Sequence, residues 1–174
     1  MRSFIGVELT EGARLQCIKA QKFLDSPDIR ANWTYAENLH VTLSFLGEVE
    51  DMVSLKERLS TVKFEPFEAS LEKAGVFPGE GYIEVLWLGI RGPFFALHNQ
   101  ILEAIGKKPD RKYHPHVTLA RVKQVTNKIE LIKKLKSVHV APQKFTVEKF
   151  VLMGAELTRN GPAYTVIQEF PSLK

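Results

Sequence analysis

The chain has 174 residues, a net charge of +4 at neutral pH and a pI near 9.1. Its hydrophobic content of 44% and charged content of 25% fit one domain with a real core and exclude a disordered or low-complexity chain. A single cysteine excludes an intrachain disulfide, and no stretch nears the ~20 apolar residues of a membrane span. A cytoplasmic soluble protein is expected, with a mildly basic surface that suits a phosphate-bearing partner.

In chain order, residues 4–9 (FIGVEL) alternate and read as a first strand rather than a signal peptide. Thr10 can cap a helix over about 11–25, whose stripe of Ala13, Cys17, Ala20 and Leu24 makes Cys17 core filler. Ser26, Pro27 and Asp28 end that helix. Residues 33–35 are extended, 39–47 (LHVTLSFLG) form a clear strand, and 51–60 form a helix with Met52, Leu55 and Leu59 on one face. Residues 64–77 read as extended and run into the loop Pro78–Gly79–Glu80–Gly81. Beyond it come a strand over 82–90, a helix over about 94–106, a strand over 115–122 and a helix near 127–136. Extended segments follow at 144–157 and 164–170, with Asn160–Gly161 as a hairpin turn between them.

The two halves therefore run through similar elements in a similar order. At one place the similarity becomes identity: HVTL occurs at 40–43 and again at 116–119. The expected architecture is α+β and bilobal, two pseudo-symmetric lobes each with a mainly antiparallel sheet and outer helices around a central cleft. The lobes fall near 1–79 and 80–174 of one domain, with strand exchange between them allowed.

Side chains on a strand alternate between faces. His40 and Thr42 then share one face while Val41 and Leu43 take the other, and His116 and Thr118 repeat the pattern. A pseudo-two-fold would bring the polar faces to one cleft from opposite sides. Two imidazoles suit phosphoryl chemistry, because one can be neutral and the other protonated near neutral pH. The neutral ring takes a proton from water, and the protonated ring gives one to the leaving oxygen. Threonine hydroxyls can donate to the non-bridging oxygens. Protons and fixed donors cover both tasks, so neither a metal nor a cofactor is expected. A lone H-x-T carries little information; two copies of HVTL in matching frames carry much more, since packing asks for Val and Leu but not for His and Thr.

The chain resembles the two-histidine phosphoesterase superfamily, and within it the RNA 2′,3′-cyclic phosphodiesterases, or 2′-5′ RNA ligase family. The resemblance rests on RSFIGVEL, LHVTLSFLGEV, VLWLGI, HPHVTLAR and GPAYTVIQEF, and covers nearly the whole chain. It implies a bilobal α/β fold and metal-independent hydrolysis of a 2′,3′-cyclic phosphate to a 2′-phosphate, with reversible 2′-5′ ligation in some members. It further implies His40 as general acid and His116 as general base, which the near-identical motifs do not distinguish. The partners it implies are RNA ends or small nucleotides with a cyclic phosphate, tRNA fragments among them, acted on by a monomer. A non-catalytic RNA-binding module is the rival reading.

Five residues after each histidine stand Phe45 and Arg121. Strict alternation puts both on the core side, where an arginine would be costly. A bend or end of the strand before 121 would return Arg121 to the cleft, to contact phosphate or to sandwich a base with Phe45. Phe45 also reads as core. His114 and His116, with His98, lack the spacing of a metal site. His98 reads as a helix-face residue and His139 as an exposed loop residue. Lys133, Lys134 and Lys136 read as a solvated face, while Lys107, Lys108, Arg111 and Lys112 form a basic loop that could steer RNA.

Overall fold

The computed structural model describes all 174 residues. Its elements are β1 (Arg2–Glu8), α1 (Glu11–Leu24), β2 (Ile29–Trp33), β3 (His40–Glu48), α2 (Met52–Leu59), β4 (Phe67–Gly79), β5 (Tyr82–Arg91), α3 (Phe94–Ala104), β6 (His116–Val125), α4 (Lys128–Ser137), β7 (Lys144–Val147), β8 (Lys149–Thr158) and β9 (Gly161–Pro171). A short 3-10 turn, Ala36–Asn38, leads into β3.

Three of the four α-helices begin where a side chain can take up an orphan N–H, while α3 starts after Pro93 with no side-chain cap. Thr10 Oγ1 accepts from the Ala13 amide, Asp51 from Ser54 and Asn127 from Glu130. None of the helices is long and apolar enough to cross a membrane.

All nine strands join one antiparallel sheet in the order β7-β4-β5-β6-β3-β1-β8-β9, with β2 added to β6. The centre of this sheet is thin. β3 and β6 pair only at Val41–Val117, while their outer neighbours are zipped over many residues. The sequence halves do not map onto the two sides of that seam. β4 crosses to the β5–β6 side, and β8 and β9 return from the end of the chain to flank β1. The helices cross as well: α1 packs on β6, and α3 packs on β3. Residues 78–81 form no boundary. Pro78 and Gly79 belong to β4, and Glu80–Gly81 is the two-residue turn of the β4–β5 hairpin. Proline is tolerated there because the ladder shifts register at Phe77/Pro78.

One apolar cluster runs through both sides of the seam, from Ile5 and Leu43 to Leu119 and Phe150. Cys17 is fully buried in it, and burial pushes its thiol up to about 12 against a smaller opposing effect of the Arg14 charge. At that value it is a small hydrophobe rather than a nucleophile.

Candidate active site

The pairing of Val41 with Val117 fixes the geometry of the site. Carrying that antiparallel register one residue either way sets His40 across from Thr118 and Thr42 across from His116. The two histidines occupy one diagonal of a four-residue patch, and the two threonines occupy the other. The strands are neighbours in one sheet, so the motifs lie side by side on one face rather than on opposing walls. Both line a cleft of about 840 Å³ together with Phe45, Arg121 and Tyr164.

Each imidazole is held the same way. His40 Nδ1 donates to the Asn38 carbonyl at 2.6 Å, and His116 Nδ1 donates to the His114 carbonyl at 2.6 Å. These bonds place the Nδ1 proton and leave Nε2 as the working atom. Beyond this the rings differ. His40 Nε2 lies 2.8 Å from Thr42 Oγ1. His116 Nε2 makes no hydrogen bond within the protein.

Aromatic side chains wall in both rings. Phe4 stacks on His40 at 4.7 Å and Tyr164 meets it edge-on at 5.5 Å. Gly6 makes room for this, since a Cβ there would come within 2.8 Å of the Val41 carbonyl and 3.4 Å of His40 Cδ2. On the other side Phe77 meets His116 edge-on at 4.9 Å, with Trp87 at 6.2 Å. Trp87 lies flat over Gly75, where a Cβ would be only 2.3 Å from the indole. Burial therefore lowers both imidazole pKa values below the ordinary 6.5. The carbonyl bonds oppose the shift in each case. The charge of His116 adds to it at His40, and the charges of His114 and Arg121 add to it at His116.

Phe45 and Arg121 reach the cleft by a device that alternation alone does not show. The strands do not end there, and the bend expected before Arg121 takes the form of a bulge. Each carries a β-bulge three residues after its histidine. On β3, Ile5 pairs with Ser44 and Gly6 with Thr42, so Leu43 has no partner on β1. On β6, Leu86 pairs with Ala120 and Trp87 with Thr118, so Leu119 has no partner on β5. Two consecutive residues are then buried in each strand, Leu43–Ser44 and Leu119–Ala120. The side chains that come next, Phe45 and Arg121, are thereby turned to the cleft face. Phe45 is left 70% exposed at the cleft edge, and Arg121 stands in the cleft near both His116 and Tyr164. Burial raises the pKa of Tyr164, and the Arg121 charge opposes that shift in part.

A side chain from an exchanged helix caps each bulge. His98 on α3 donates from Nδ1 to the Leu43 carbonyl at 2.6 Å, and Gln21 on α1 donates from Nε2 to the Leu119 carbonyl at 2.9 Å. His98 is thus a helix-face residue, buried behind β3 and stacked on Tyr113 at 3.9 Å. Tyr113 donates to the Thr42 carbonyl at 2.8 Å. Replacing His98 by leucine should orphan the buried Leu43 carbonyl and destabilise the fold by about 2 kcal/mol, or about 4–8 °C in Tm. His98→Asn, whose Nδ2 can stand where Nδ1 stands, should recover most of that loss in a thermal melt.

Three other parts of the site come from distant sequence: Phe4, Tyr164 and the tip of the β8–β9 hairpin. Asn38 donates from Nδ2 to the Pro162 carbonyl at 2.8 Å, which ties the hairpin to the residue that orients His40. The hairpin turn expected at Asn160–Gly161 lies one residue earlier, at Arg159–Asn160, closed by the Thr158–Gly161 pair with Gly161 at φ +109°, and it overhangs the cleft. His139 is exposed and far from these groups, and no three His, Cys, Asp or Glu side chains converge anywhere in the chain.

An α+β sheet with two H-x-T strands side by side over one cleft defines a two-histidine phosphoesterase arrangement. The chain belongs to the 2′-5′ RNA ligase superfamily, whose family model matches residues 13–159. It is 37% identical to the RNA 2′,3′-cyclic phosphodiesterase of Methanothermobacter thermautotrophicus, covering 98% of both chains. A crystal structure of a Thermus thermophilus protein superposes with a TM-score of 0.79 at 29% identity, covering 98% of this chain and 97% of that one. Escherichia coli LigT, solved in complex with 3′-AMP, superposes with a TM-score of 0.76 at 25% identity over 99% and 98% of the two chains.

Proposed function

We propose that the chain is an RNA 2′,3′-cyclic phosphodiesterase that opens the ring to a 2′-phosphate and a free 3′-hydroxyl. The observation that carries this is the diagonal placement of His40 and His116 over one cleft. An in-line displacement at phosphorus needs the attacking water and the leaving oxygen on opposite sides, and a base and an acid on a diagonal serve those two sides. His116 is assigned as the base because its Nε2 is unengaged. Burial lowers the pKa of both rings and does not separate the roles. His116 Nε2 is the acceptor. It takes a proton from water as the new P–O bond forms. His40 is the acid, giving its Nε2 proton to O3′ as the P–O3′ bond breaks. In the free site a protonated His40 donates to Thr42 Oγ1. With substrate bound that proton turns to O3′, and the Thr42 hydroxyl donates to a non-bridging oxygen. Thr118 serves the other side. Arg121 faces the phosphate and Phe45 offers its ring to a base. The substrates are RNA ends or small nucleotides, tRNA fragments among them, and the enzyme acts as a cytoplasmic monomer without metal or cofactor.

The direct test is chromatography of the products from a 2′,3′-cyclic nucleotide in the presence of a chelator. A 2′-phosphate supports the reading; no turnover, or a 3′-phosphate, rejects it. Added RNA with a 5′-hydroxyl end lets the same assay score ligation.

The pH profile is a second expectation. The acid limb of kcat/KM reports deprotonation of the base, and the alkaline limb reports loss of the acid's proton. Both imidazoles are pushed below their ordinary value, so the bell should peak on the acid side of about 6.5. A bound phosphate anion favours imidazolium, so the kcat bell should lie at higher pH than the kcat/KM bell. A kcat/KM profile flat from about pH 6 to about pH 9 would contradict two-histidine chemistry.

A further inference from the structure

A second concavity of about 500 Å³ opens on the far side of His116. It shares Thr42, Phe45 and His116 with the first cleft, so the two meet at the reaction centre. Their chemistry differs. Lys107, Lys108 and Lys112 line the second one, and none of the three takes part in the ion pairs of the chain. Its one carboxylate, Asp110, accepts from the Lys112 amide at 2.9 Å and is turned to its own loop. This loop is pinned at both ends. The Lys107 amide donates to the Leu102 carbonyl at 2.8 Å, and Tyr113 is anchored to Thr42 and His98. Phe45 stands on the ridge between the concavities, and Phe77 and His114 line the far wall.

We propose that this second cleft carries the RNA chain that runs 5′ from the terminal cyclic nucleotide. A cyclic phosphate occupies both the 2′ and 3′ oxygens, so such an end continues only through its 5′ oxygen. The first cleft takes the terminal nucleotide. The chain then passes over Phe45, the phosphates that follow meet the lysines, and the next base stacks on the exposed ring. Unpaired cations beside exposed aromatic rings are the two features that hold single-stranded nucleic acid without reading its sequence. The inference rests on the proposed reaction and adds a preference for oligonucleotides over mononucleotides.

The test compares adenosine 2′,3′-cyclic phosphate with a hexanucleotide ending in the same group, using the wild type and the K107E/K108E/K112E variant. On the hexanucleotide the variant should lose about tenfold or more in kcat/KM, and its dependence on log salt should flatten by about 2 in slope for three lost phosphate contacts. On the mononucleotide it should stay within about twofold of the wild type, since no lysine of the three reaches the first cleft. Equal losses on both substrates, or no loss on the hexanucleotide, would overturn the groove. If the wild type opens neither substrate, the reaction fails as a reading but the groove is still decided. Fluorescence anisotropy of a hexanucleotide carrying a terminal 2′-phosphate must then weaken in the variant, and unchanged binding rejects the proposal.

Discussion

His116→Ala should lower kcat/KM by about 10²–10⁴, the usual loss for one general acid or base, and His40→Ala should fall in the same range. The double variant should be little worse than either single one, because the two groups act in one step. The roles can be separated by the leaving group. An alkoxide departs poorly without a proton, whereas a nitrophenolate departs without one. A nitrophenyl phosphodiester should therefore restore much of the activity of His40→Ala and none of that of His116→Ala. Rescue of both, or of His116→Ala alone, would reverse or dismiss the assignment. Circular dichroism controls for folding, which matters more for His40, packed between Phe4 and Tyr164.

The paired HVTL segments were legible because they combine two signals. Val41 and Leu43, like Val117 and Leu119, are buried as period-two alternation requires, and the polar partners stand on the other face. The helices were legible through their caps and apolar stripes. Periodicity reports which face a side chain takes, but not which strand lies alongside. The bulges at Leu43 and Leu119 depend on β1 and β5, so nothing inside HVTLSF or HVTLAR marks them. Only the cost of burying Arg121 hinted that alternation must fail there, and Phe45 carried no such hint. Strand exchange between the lobes was allowed by the sequence, but which strands cross (β4, β8 and β9) was not legible, for the same reason: self-similarity of the halves gives element order, and a duplicated order is compatible with swapped partners. The walls of the site follow from that crossing. Tyr164 reaches His40 from β9, and Phe77 reaches His116 from β4.

The threonines give the second large effect. Valine keeps the shape and strand preference of threonine while removing the hydroxyl. Thr118→Val and Thr42→Val should each lower kcat by about 10²–10³ with KM little changed, as expected when a donor meets charge that develops only in the transition state. Thr→Ser should restore part of it. The two sites should separate in their pH behaviour. Thr42 Oγ1 touches His40 Nε2, whereas Thr118 has no hydrogen bond to either imidazole. A hydroxyl accepting from an imidazolium favours the charged ring more than it favours the neutral one as a donor. Its loss in Thr42→Val should move the alkaline limb of kcat/KM to lower pH, the sign expected when His40 holds its proton less well. Thr118→Val should leave that limb in place. An equal shift in both variants would mean that the hydroxyls act through the shared field of the cleft, and Thr42 would lose its distinct tie to the acid.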